Sequence, residues 1–533
     1  MSRLPRATMQ TRAPAHLSHF VSKTTPARGA WFHTHAISQS TSSRRITKKE
    51  GTVMEFFENL ISEEPPFPPR FADLKRRICK DPDALTRSWR GVLAELGDAT
   101  KEIELRGSEM ILQVPYQDIQ NGLSDEQLQI LTKTGVIVIK GGVPREVSGN
   151  GLIHFNLILT SGGQEALSWK HSLNEYITNN REKVTGSPPP PNEIVFYELY
   201  NSKAQILART HPALISTQKY LLSLWHASDP HSCVSVRTPV SYFDRIRIRP
   251  PGPSVFTLGP HVDGGSIERW EDSAFRACFQ TILDGDDGWR GHDSFDISPR
   301  LDANQDLYNA PNQCSIFRPW QGWTALSNTG PGEGTLRVLP MLSLATAYMI
   351  LRPFFRLRPD LRRRITKPSD IPLDADAWVI DLDDPTFPGS VPGKTQAVTP
   401  ETHPHLRIER SMLSIPRVEP GDQVYWHTDV IHAVERDHNG AEDSSVIYIP
   451  AVPLTERNAA YIRDQRATFM QGVPAPDFPN GEGESRFEGR GGLEDIHDLD
   501  GRRMLGFEAF NFEADIGPGE RQTIAAANET LGF

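Results

Sequence analysis

Hydrophobic residues recur at helical spacing, with charged residues between them, in the first part of the chain. The longest such stretch is FADLKRRICKDPDALTRSWRGVLAELGDATKEIEL (71–105), and VMEFFENLI (53–61) precedes it. Apolar positions three and four apart form one face of an amphipathic helix. The pattern therefore predicts helices through most of residues 51–115.

The segment LSDEQLQILTKTGVIVIK (123–140) predicts a helix followed directly by a strand. Ser124 can cap the start of the helix, and Gln127 lies at the position that completes a capping box. Gly135 then marks the end of the helix. The continuous apolar run VIVIK (136–140) indicates a buried strand.

Strand-like segments dominate the chain from about residue 241 onward. They are SYFDRIRIR (241–249), CSIFRP (314–319), GWTALSN (322–328), GTLRVLP (334–340), DQVYWHTDVIHAVE (422–435) and SSVIYIPAVP (444–453). Short strands at irregular intervals, with turn signals between them, favour a barrel or a sandwich. The apolar run LPMLSLATAYMIL (339–351) predicts a buried helix, because it is shorter than the ~20 residues of a membrane span.

These patterns predict a mainly β fold with flanking helices. Four regions follow: a basic Ser- and Arg-rich segment at 1–50, a helical region with the first core strand at 51–230, a β core at 231–455 with an insertion at 342–410, and a helical and loop-like tail at 456–533.

Composition limits the classes of function. Across 533 residues the net charge is −10, which argues against general nucleic-acid binding because phosphates require a basic surface. The four cysteines form no CxxC pair, so a thiolate zinc site is not expected and the thiols fit a reducing compartment. No membrane association is predicted, and the sequence carries no signal for the oligomeric state.

The first 49 residues contain no Asp or Glu and many Arg, Lys, Ser and Thr. That composition is typical of a mitochondrial transit peptide, which would place the mature protein in the matrix. A disordered basic tail on a cytoplasmic protein is the alternative. Met54 is a second candidate start, and initiation there would remove the segment.

The candidate chemistry begins at GPHVDGGSIERWED (259–272), where His261 and Asp263 are two positions apart. A non-haem iron site needs two imidazoles and one carboxylate, so this pair lacks one ligand. On its own, such a pair is more often a structural turn than a metal site, because short motifs frequently match by chance. The segment GDQVYWHTDVIHAVE (421–435) offers His427 and His432. Five positions apart, they would point to opposite faces of a regular strand, so only one of them should face a metal.

The order of these motifs resembles a known family. HVD, then GWTALSNTGPGEGTLRVLP (322–340), then a Gly-Asp pair followed by a distal His is similar to the phytanoyl-CoA dioxygenase-like branch of the Fe(II)/2-oxoglutarate dioxygenases. Within that group the chain most resembles the domain-of-unknown-function 1479 family. The resemblance implies a double-stranded β-helix (jelly roll, cupin-like) core, with His261, Asp263 and His432 as iron ligands and His427 in a supporting role.

The resemblance also implies that 2-oxoglutarate is the cosubstrate and is decarboxylated to succinate as a small-molecule substrate is hydroxylated. The far carboxylate of 2-oxoglutarate needs a buried cation, best an arginine. The family pattern places that arginine eleven residues after the distal His, where this chain has Asp443. The candidates to replace it are, in order of preference, Arg247, Arg245, Arg318 and Arg337. Trp323 matches the family's tryptophan beside the cosubstrate.

Aromatic side chains are candidates for substrate contacts, although such residues more often pack in the core. The candidates are Tyr242, Trp270 and Trp426. Two rival functions stay open at this point. The chain could be a non-catalytic cupin-like binding protein that kept the metal and lost the cosubstrate, or another metalloenzyme, such as a hydrolase or an isomerase, on the same barrel.

Overall fold

The computed structural model describes residues 67–143, 165–189, 191–254, 258–310 and 313–533. The basic segment 1–50, the helix predicted at 53–61 and the alternative start at Met54 lie outside the described residues. The targeting of the protein therefore stays a prediction.

The helices predicted near the N-terminus are present as Arg70–Ile78 and Pro82–Arg106. The carboxylate of Asp81 caps the second helix by accepting from the backbone amides of Asp83 and Ala84, both at 3.0 Å. Its buried face includes Trp89, whose ring stacks on Phe355 with centroids 4.5 Å apart. This helix thus packs against the predicted insertion rather than against another N-terminal helix.

The next helix begins and ends where the sequence predicts. It spans Asp125–Thr134, with the capping box of Ser124 and Gln127 formed in both directions and Gly135 in the left-handed conformation at φ 71°. The strand Val136–Lys140 follows at once, and its first four residues are buried. Local sequence is sufficient here because the cap, the glycine and the apolar run all specify the same boundaries.

Gly135 provides a stability test, because a side chain there meets both backbone strain and a clash. A Cβ would lie 2.7 Å from Val430 Cγ2 and 3.2 Å from Leu342 Cβ. For Gly135→Ala we expect a loss of about 1–2 kcal/mol from the left-handed backbone and about 1–3 kcal/mol from overpacking. Urea unfolding should show a lower midpoint than for the control Gly141→Ala, which has φ 68° and open space around its Cβ. Equal midpoints would contradict the packing around Gly135.

The large sheet has eight strands. In spatial order they are Leu112–Pro115, Val136–Lys140, Gln423–His427, Trp320–Ala325, Ser444–Tyr448, Ile246–Arg249, Phe196–Tyr197 and Gly186–Ser187. The first two strands pair in parallel and the other pairs are antiparallel. The sheet therefore draws strands both from the predicted 51–230 region and from the predicted 231–455 core.

A second, five-stranded sheet carries the HVD segment. Its strands, in spatial order, are Gln396–Ala397, His261–Val262, His432–Val434, Leu336–Val338 and Leu413–Ser414, and all of its pairs are antiparallel. The edge strand Gln396–Ala397 comes from the predicted insertion, so the insertion completes this sheet. Three two-stranded pairs also form, namely Phe355–Leu357 with Trp378–Ile380, Gly252–Pro253 with Asp437–His438, and Val234–Val240 with Val452–Thr455.

Three strand predictions need correction. The segment 444–453 is divided, because Ser444–Tyr448 lies in the large sheet while Val452–Thr455 pairs with Val234–Val240. The segment 422–435 is not one strand, because residues 428–431 form a turn and its two halves join different sheets. The segment 314–319 forms no strand. The amide of Ser315 donates to Asp477 Oδ2 at 2.9 Å instead of to a neighbouring strand, and the regular strand begins at Trp320.

Helices cover much of the rest of the described chain, so the fold is mixed α and β and the expectation of a mainly β protein is wrong. The further helices are Tyr116–Asn121, Glu165–Asn179, Lys203–Arg209, Pro212–Ser223, Glu268–Glu271, Ser273–Ala277, Gln280–Leu283, Leu342–Leu351, Pro359–Arg362, Ile408–Ser411, Glu456–Gln471, Leu499–Met504 and Pro518–Leu531. The buried helix predicted in 339–351 is confirmed as Leu342–Leu351. None of the helices in the described ranges is both long and apolar enough to cross a membrane. The strand pairs there form open sheets rather than a closed barrel.

Candidate metal centre

His261 and His432 are brought together by strand pairing. They are direct partners in the antiparallel pair formed by His261–Val262 and His432–Val434. Residues directly opposite each other in such a pair project to the same face of the sheet. The two imidazole rings accordingly lie side by side, with centroids 4.2 Å apart, and both residues are buried.

Asp263 joins them because it lies two positions after His261, and side chains at that spacing share a face of an extended chain. Its Oδ1 lies 3.5 Å from His261 Nε2, and its Oδ2 lies 3.7 Å from His432 Nε2. One possible ligand atom from each of the three residues lies within 4.8 Å of the other two. The three side chains therefore converge on one point although residues 263 and 432 are far apart in sequence.

Backbone carbonyls orient both imidazoles. His261 Nδ1 lies 2.6 Å from the carbonyl oxygen of Gly259, and His432 Nδ1 lies 3.0 Å from that of Val430. A carbonyl oxygen can only accept, so each Nδ1 carries the hydrogen and each Nε2 keeps a lone pair. This is the usual arrangement of metal-binding histidines, in which the second nitrogen is fixed by a hydrogen bond.

The electrostatics keep this set ready to bind a cation. Burial and the nearby His261 lower the pKa of His432 to about 4, so its imidazole is neutral at physiological pH. Burial acts to raise the pKa of Asp263, but His261, His432 and Arg318 together hold it below its usual value. Gln321 Nε2 also donates to Asp263 Oδ2. Gln321 belongs to the strand Trp320–Ala325 of the large sheet, so the cluster lies between the two sheets.

His427 lies outside the cluster, and its ring nitrogens are satisfied by the protein. Its Nε2 donates to the carbonyl of Ser294 at 2.9 Å, and its Nδ1 accepts from the amide of Asp429 at 3.1 Å. The ring stacks on Trp225 with centroids 4.8 Å apart and planes 5° apart. Burial lowers the pKa of His427 to about 3, which keeps it neutral.

The turn between His427 and His432 is held by a buried ion pair. Arg300 donates to both carboxylate oxygens of Asp429, and both side chains are almost fully buried. Burial acts to raise the pKa of Asp429, but Arg300 and His427 hold it well below its usual value. This turn carries the chain from the large sheet to the small sheet and so directs His432 toward His261.

A cavity of about 150 Å³ opens beside the cluster and contains most of the predicted cosubstrate residues. Among the predicted residues, those that line it are His261, Asp263, His432, Arg245, Arg247, Arg318, Trp323 and Trp426. Cavities of about 150 Å³ can accept a molecule the size of benzene. The space therefore suits small metabolites.

Arg247 differs from the other arginines of the cavity wall in having no carboxylate partner within the described residues. Its side chain is 3% exposed, its Nη2 donates to Ser444 Oγ at 3.1 Å, and its Nε is buried without a hydrogen-bond partner there. Burial lowers the pKa of Arg247, but a guanidinium stays charged in proteins. A buried and unpaired cation is costly, so this position favours an anionic ligand.

The remaining candidate cations have partners. Arg245 Nε donates to Glu198 Oε1 at 2.8 Å, and Arg318 Nη1 donates to Asp244 Oδ2 at 3.3 Å. Arg337 does not line the cavity, because its guanidinium donates instead to the carbonyl of Met412 at 3.0 Å. Asp443, at the position where the family pattern has arginine, pairs with Lys170.

Two of the predicted substrate residues do not line this cavity. Tyr242 stacks on Tyr461 and donates to Asp477 Oδ2 at 3.0 Å. Trp270 is buried in a hydrophobic cluster, where its indole N–H donates to the carbonyl of Ile350 at 3.1 Å. Both therefore serve packing. Trp426 lies beside the cluster, with its ring centroid 5.2 Å from that of His432.

Sequence reasoning missed several cavity residues, and the polar ones among them include Gln321, Tyr448 and Asp244. Gln321 lies between two predicted strand segments, 314–319 and 322–328, and Tyr448 lies within the predicted strand 444–453. A lone glutamine or tyrosine in or beside a strand carries no signal of its own. Asp244 precedes the two favoured arginines in YFDRIRIR, and this clustering of charges in a strand segment was the one available hint.

The residues present fit a first-row divalent metal ion. Two imidazole nitrogens and one carboxylate on one face are the ligand set of non-haem Fe(II) sites. The two measured separations, 3.5 and 3.7 Å, are below the span of about 4.2 Å that two bonds to one ion allow. The buried Oε1 of Gln321 has no hydrogen-bond partner within the described residues, and a metal-bound water could donate to it.

Comparisons with known proteins give consistent matches along most of the chain. A sequence model of the family described as Gig2-like matches residues 65–154 and 159–507. The uncharacterized protein YbiU of Escherichia coli K12 is 33% identical over 403 residues, which cover 74% of this chain and 84% of that protein. The crystal structure of GlcNAc Inducible Gene 2, GIG2 (DUF1479), from Candida albicans has a TM-score of 0.74 and 32% identity, covering 89% of this chain and 97% of that chain. The hypothetical protein JW0805 from Escherichia coli has a TM-score of 0.66 and 30% identity, covering 84% and 99%.

Proposed function

This chain belongs to the Gig2-like family, and on that basis we propose that it is an Fe(II)- and 2-oxoglutarate-dependent oxygenase that hydroxylates a small molecule. The family membership confirms the resemblance to the domain-of-unknown-function 1479 group. The placement in the phytanoyl-CoA dioxygenase-like branch, the cofactors and the reaction belong to the proposal.

His261, Asp263 and His432 would hold the iron through two Nε2 atoms and one carboxylate. When bound, a ferrous ion in such a facial set supplies three open positions and the oxidative chemistry of non-haem oxygenases. The chain provides the orientation of the ligands. The carbonyls of Gly259 and Val430 fix the imidazoles, and Gln321 fixes one oxygen of Asp263.

The observation that carries the proposal is the buried guanidinium of Arg247 in the same cavity as the three ligands. It contacts Ser444, the residue directly after Asp443, where the family pattern places its arginine. The arginine missing from one strand is thus replaced from the neighbouring strand, because Ile246–Arg249 pairs with Ser444–Tyr448. We assign Arg247 to the far carboxylate of 2-oxoglutarate, which supports a catalytic role over a binding protein that lost its cosubstrate.

The same proposal includes the core architecture. We take the eight-stranded and five-stranded sheets as the two faces of a double-stranded β-helix. The position of the cluster supports this assignment, because its ligands come from the small sheet while Gln321 and Trp323 reach it from the large sheet. The wall of the cavity would then exclude water from the reacting atoms, as such a reaction requires.

Binding of 2-oxoglutarate tests the proposal most directly. Calorimetry on the full chain loaded with Mn(II), a redox-inactive substitute for Fe(II), should show stoichiometric binding of 2-oxoglutarate. Glutarate, which lacks the keto group that completes chelation, should bind more weakly. Absence of 2-oxoglutarate binding by the metal-loaded chain would refute the assignment and favour one of the two rivals, a non-catalytic metal-binding protein or another metalloenzyme.

Gln321 should tune metal affinity without being a ligand. Gln321→Ala removes the hydrogen bond to Asp263 Oδ2, and loss of such an outer partner typically weakens metal binding by about 10- to 100-fold. The control is Gln313→Ala, which also lines the cavity but donates to the carbonyl of Gln305 at 2.8 Å. Competition of Mn(II) or Co(II) against a chelator measures the difference. Equal affinities in the two variants would remove Gln321 from the metal site.

A further inference from the structure

A second charged group of the cavity wall, called here the Arg318 end, differs from Arg247 in its contacts. It is formed by Asp244 and Arg318, with Arg245 beside them. The charge of Arg245 is compensated by Glu198, whose Oε1 accepts from its Nε at 2.8 Å. This end is therefore dominated by Arg318 and the carboxylate it touches.

Arg318 has unused hydrogen-bonding capacity. Within the described residues, its guanidinium donates one hydrogen bond, to Asp244 Oδ2 at a long 3.3 Å, out of the five N–H groups that an arginine carries. The side chain is 15% exposed, and the guanidinium lies over the ring of Tyr242 at 5.0 Å. Tyr242 is fixed by its own hydrogen bond to Asp477. Stacking on a fixed ring orients the guanidinium and leaves its edge free for a planar anion.

A second and larger cavity is linked to the wall of the first by an ion pair. An outer cavity of about 470 Å³ is lined by Glu198 and Tyr200, together with Lys183 and the loop at 479–487. Arg245 lines the first cavity and its partner Glu198 lines the larger one, so this ion pair lies between the two spaces. Because Glu198 compensates Arg245 and Arg247 is assigned to the cosubstrate, Arg318 is the arginine of this wall that is left for a substrate.

We propose that Arg318 binds a carboxylate of the primary substrate, so that the substrate is a small organic acid held between Arg318 and the metal ligands. This assignment rests on the proposed oxygenase function. A carboxylate can form two parallel hydrogen bonds to a guanidinium, and such a bidentate contact fixes the direction of the substrate as well as its position. In the absence of substrate, Asp244 occupies one edge of the Arg318 guanidinium. It therefore competes with the substrate carboxylate for Arg318.

The test uses the full chain loaded with Mn(II) and saturated with 2-oxoglutarate, which keeps Arg247 occupied. A panel of short aliphatic monocarboxylic acids, with and without hydroxyl or amino substituents, is compared with the matching primary amides by calorimetry. With Fe(II) in place of Mn(II), the same panel is assayed for succinate release. Acids from the panel should bind and accelerate succinate release, and their amides should not.

Variants separate this proposal from the proposed function. Arg318→Gln should weaken binding of the acids by about 10-fold or more, the loss expected for a hydrogen bond to a charged group, with 2-oxoglutarate affinity unchanged. Arg318→Lys should restore part of that affinity. Asp244→Asn should tighten binding of the acids, because it removes the competing carboxylate, whereas a merely structural role would predict no gain.

Several results would overturn the assignment. These are equal binding of the amides and the acids, absence of binding by every acid in the panel, and wild-type binding of the acids by the Arg318→Gln protein. If Arg318→Gln lost 2-oxoglutarate binding instead, Arg318 would belong to the cosubstrate site. A wild-type chain that binds no 2-oxoglutarate would refute the oxygenase itself, which is a different failure.

Discussion

Replacing His432 by alanine is expected to remove metal binding almost completely while leaving the protein folded. The residue contributes one of three ligand atoms, and its Nε2 lies 3.7 Å from Asp263 Oδ2. Loss of an outer hydrogen bond alone typically costs about 10- to 100-fold in metal affinity, so loss of a ligand should exceed about 100-fold. Metal content after dialysis against Mn(II) or Fe(II) under anaerobic conditions measures the effect, and 2-oxoglutarate turnover should be lost with it.

His427→Ala is the matched control, because both histidines are buried and only five positions apart. This substitution removes the stacking on Trp225 and leaves the Ser294 carbonyl without its donor. It should therefore lower the thermal midpoint but retain one metal ion per chain. The opposite pattern, with metal lost in His427→Ala and kept in His432→Ala, would exchange the roles of the two residues.

Arg247→Gln should abolish measurable binding of 2-oxoglutarate while the metal stays bound. Truncating one partner of a buried, hydrogen-bonded charge pair costs about 2–5 kcal/mol, which corresponds to a loss of affinity of about 30-fold to several thousand-fold. Calorimetry on the Mn(II)-loaded variant measures this loss, and Arg247→Lys should recover part of it. Arg337→Gln is the control, because that side chain contacts the Met412 carbonyl outside the cavity.

The stability of the ligand-free protein gives a second readout for Arg247. In the absence of a ligand this guanidinium is buried with no carboxylate partner in the described part of the chain. Its removal should therefore leave the thermal midpoint unchanged or raise it, since uncompensated buried charge is destabilising. Wild type should gain stability on adding 2-oxoglutarate, whereas Arg247→Gln should not. If Arg247→Gln lowers the thermal midpoint and leaves 2-oxoglutarate binding unchanged, the role of Arg247 is structural. Arg245 and Arg318 would then be the candidates for binding the far carboxylate of 2-oxoglutarate.

The choice among the arginines shows where sequence reasoning ends. Alternation along YFDRIRIR indicates that Arg245 and Arg247 share a face opposite Ile246, but it does not say which face is the interior. In the structure both faces are buried, with Ile246 packed in a hydrophobic cluster and Arg247 on the cavity wall. The partners that distinguish the arginines, Glu198 for Arg245 and Ser444 for Arg247, come from distant parts of the chain.

Local sequence was sufficient for features whose interactions are local. The capping box at Ser124, the left-handed Gly135 and the strand Val136–Lys140 depend on residues within a few positions of each other. The order of the motifs resembles a known family, and that resemblance pointed to His261, Asp263 and His432 as a set. Strand alternation predicted only that one of His427 and His432 faces the metal, and the family resemblance supplied the preference for His432. In the structure a turn separates the two residues.

Tertiary structure alone decided how those residues meet. The Asp429–Arg300 ion pair turns the chain from one sheet to the other, and antiparallel pairing then places His432 opposite His261. Gln321 and Arg247 reach the cavity from other strands. The charged pattern of its segment made Arg247 a candidate, but no pattern in its own segment marks Gln321. Backbone propensity and periodicity act over a few residues, whereas the position of a ligand in space depends on which strands become neighbours. That pairing is selected by the burial and packing of the whole chain.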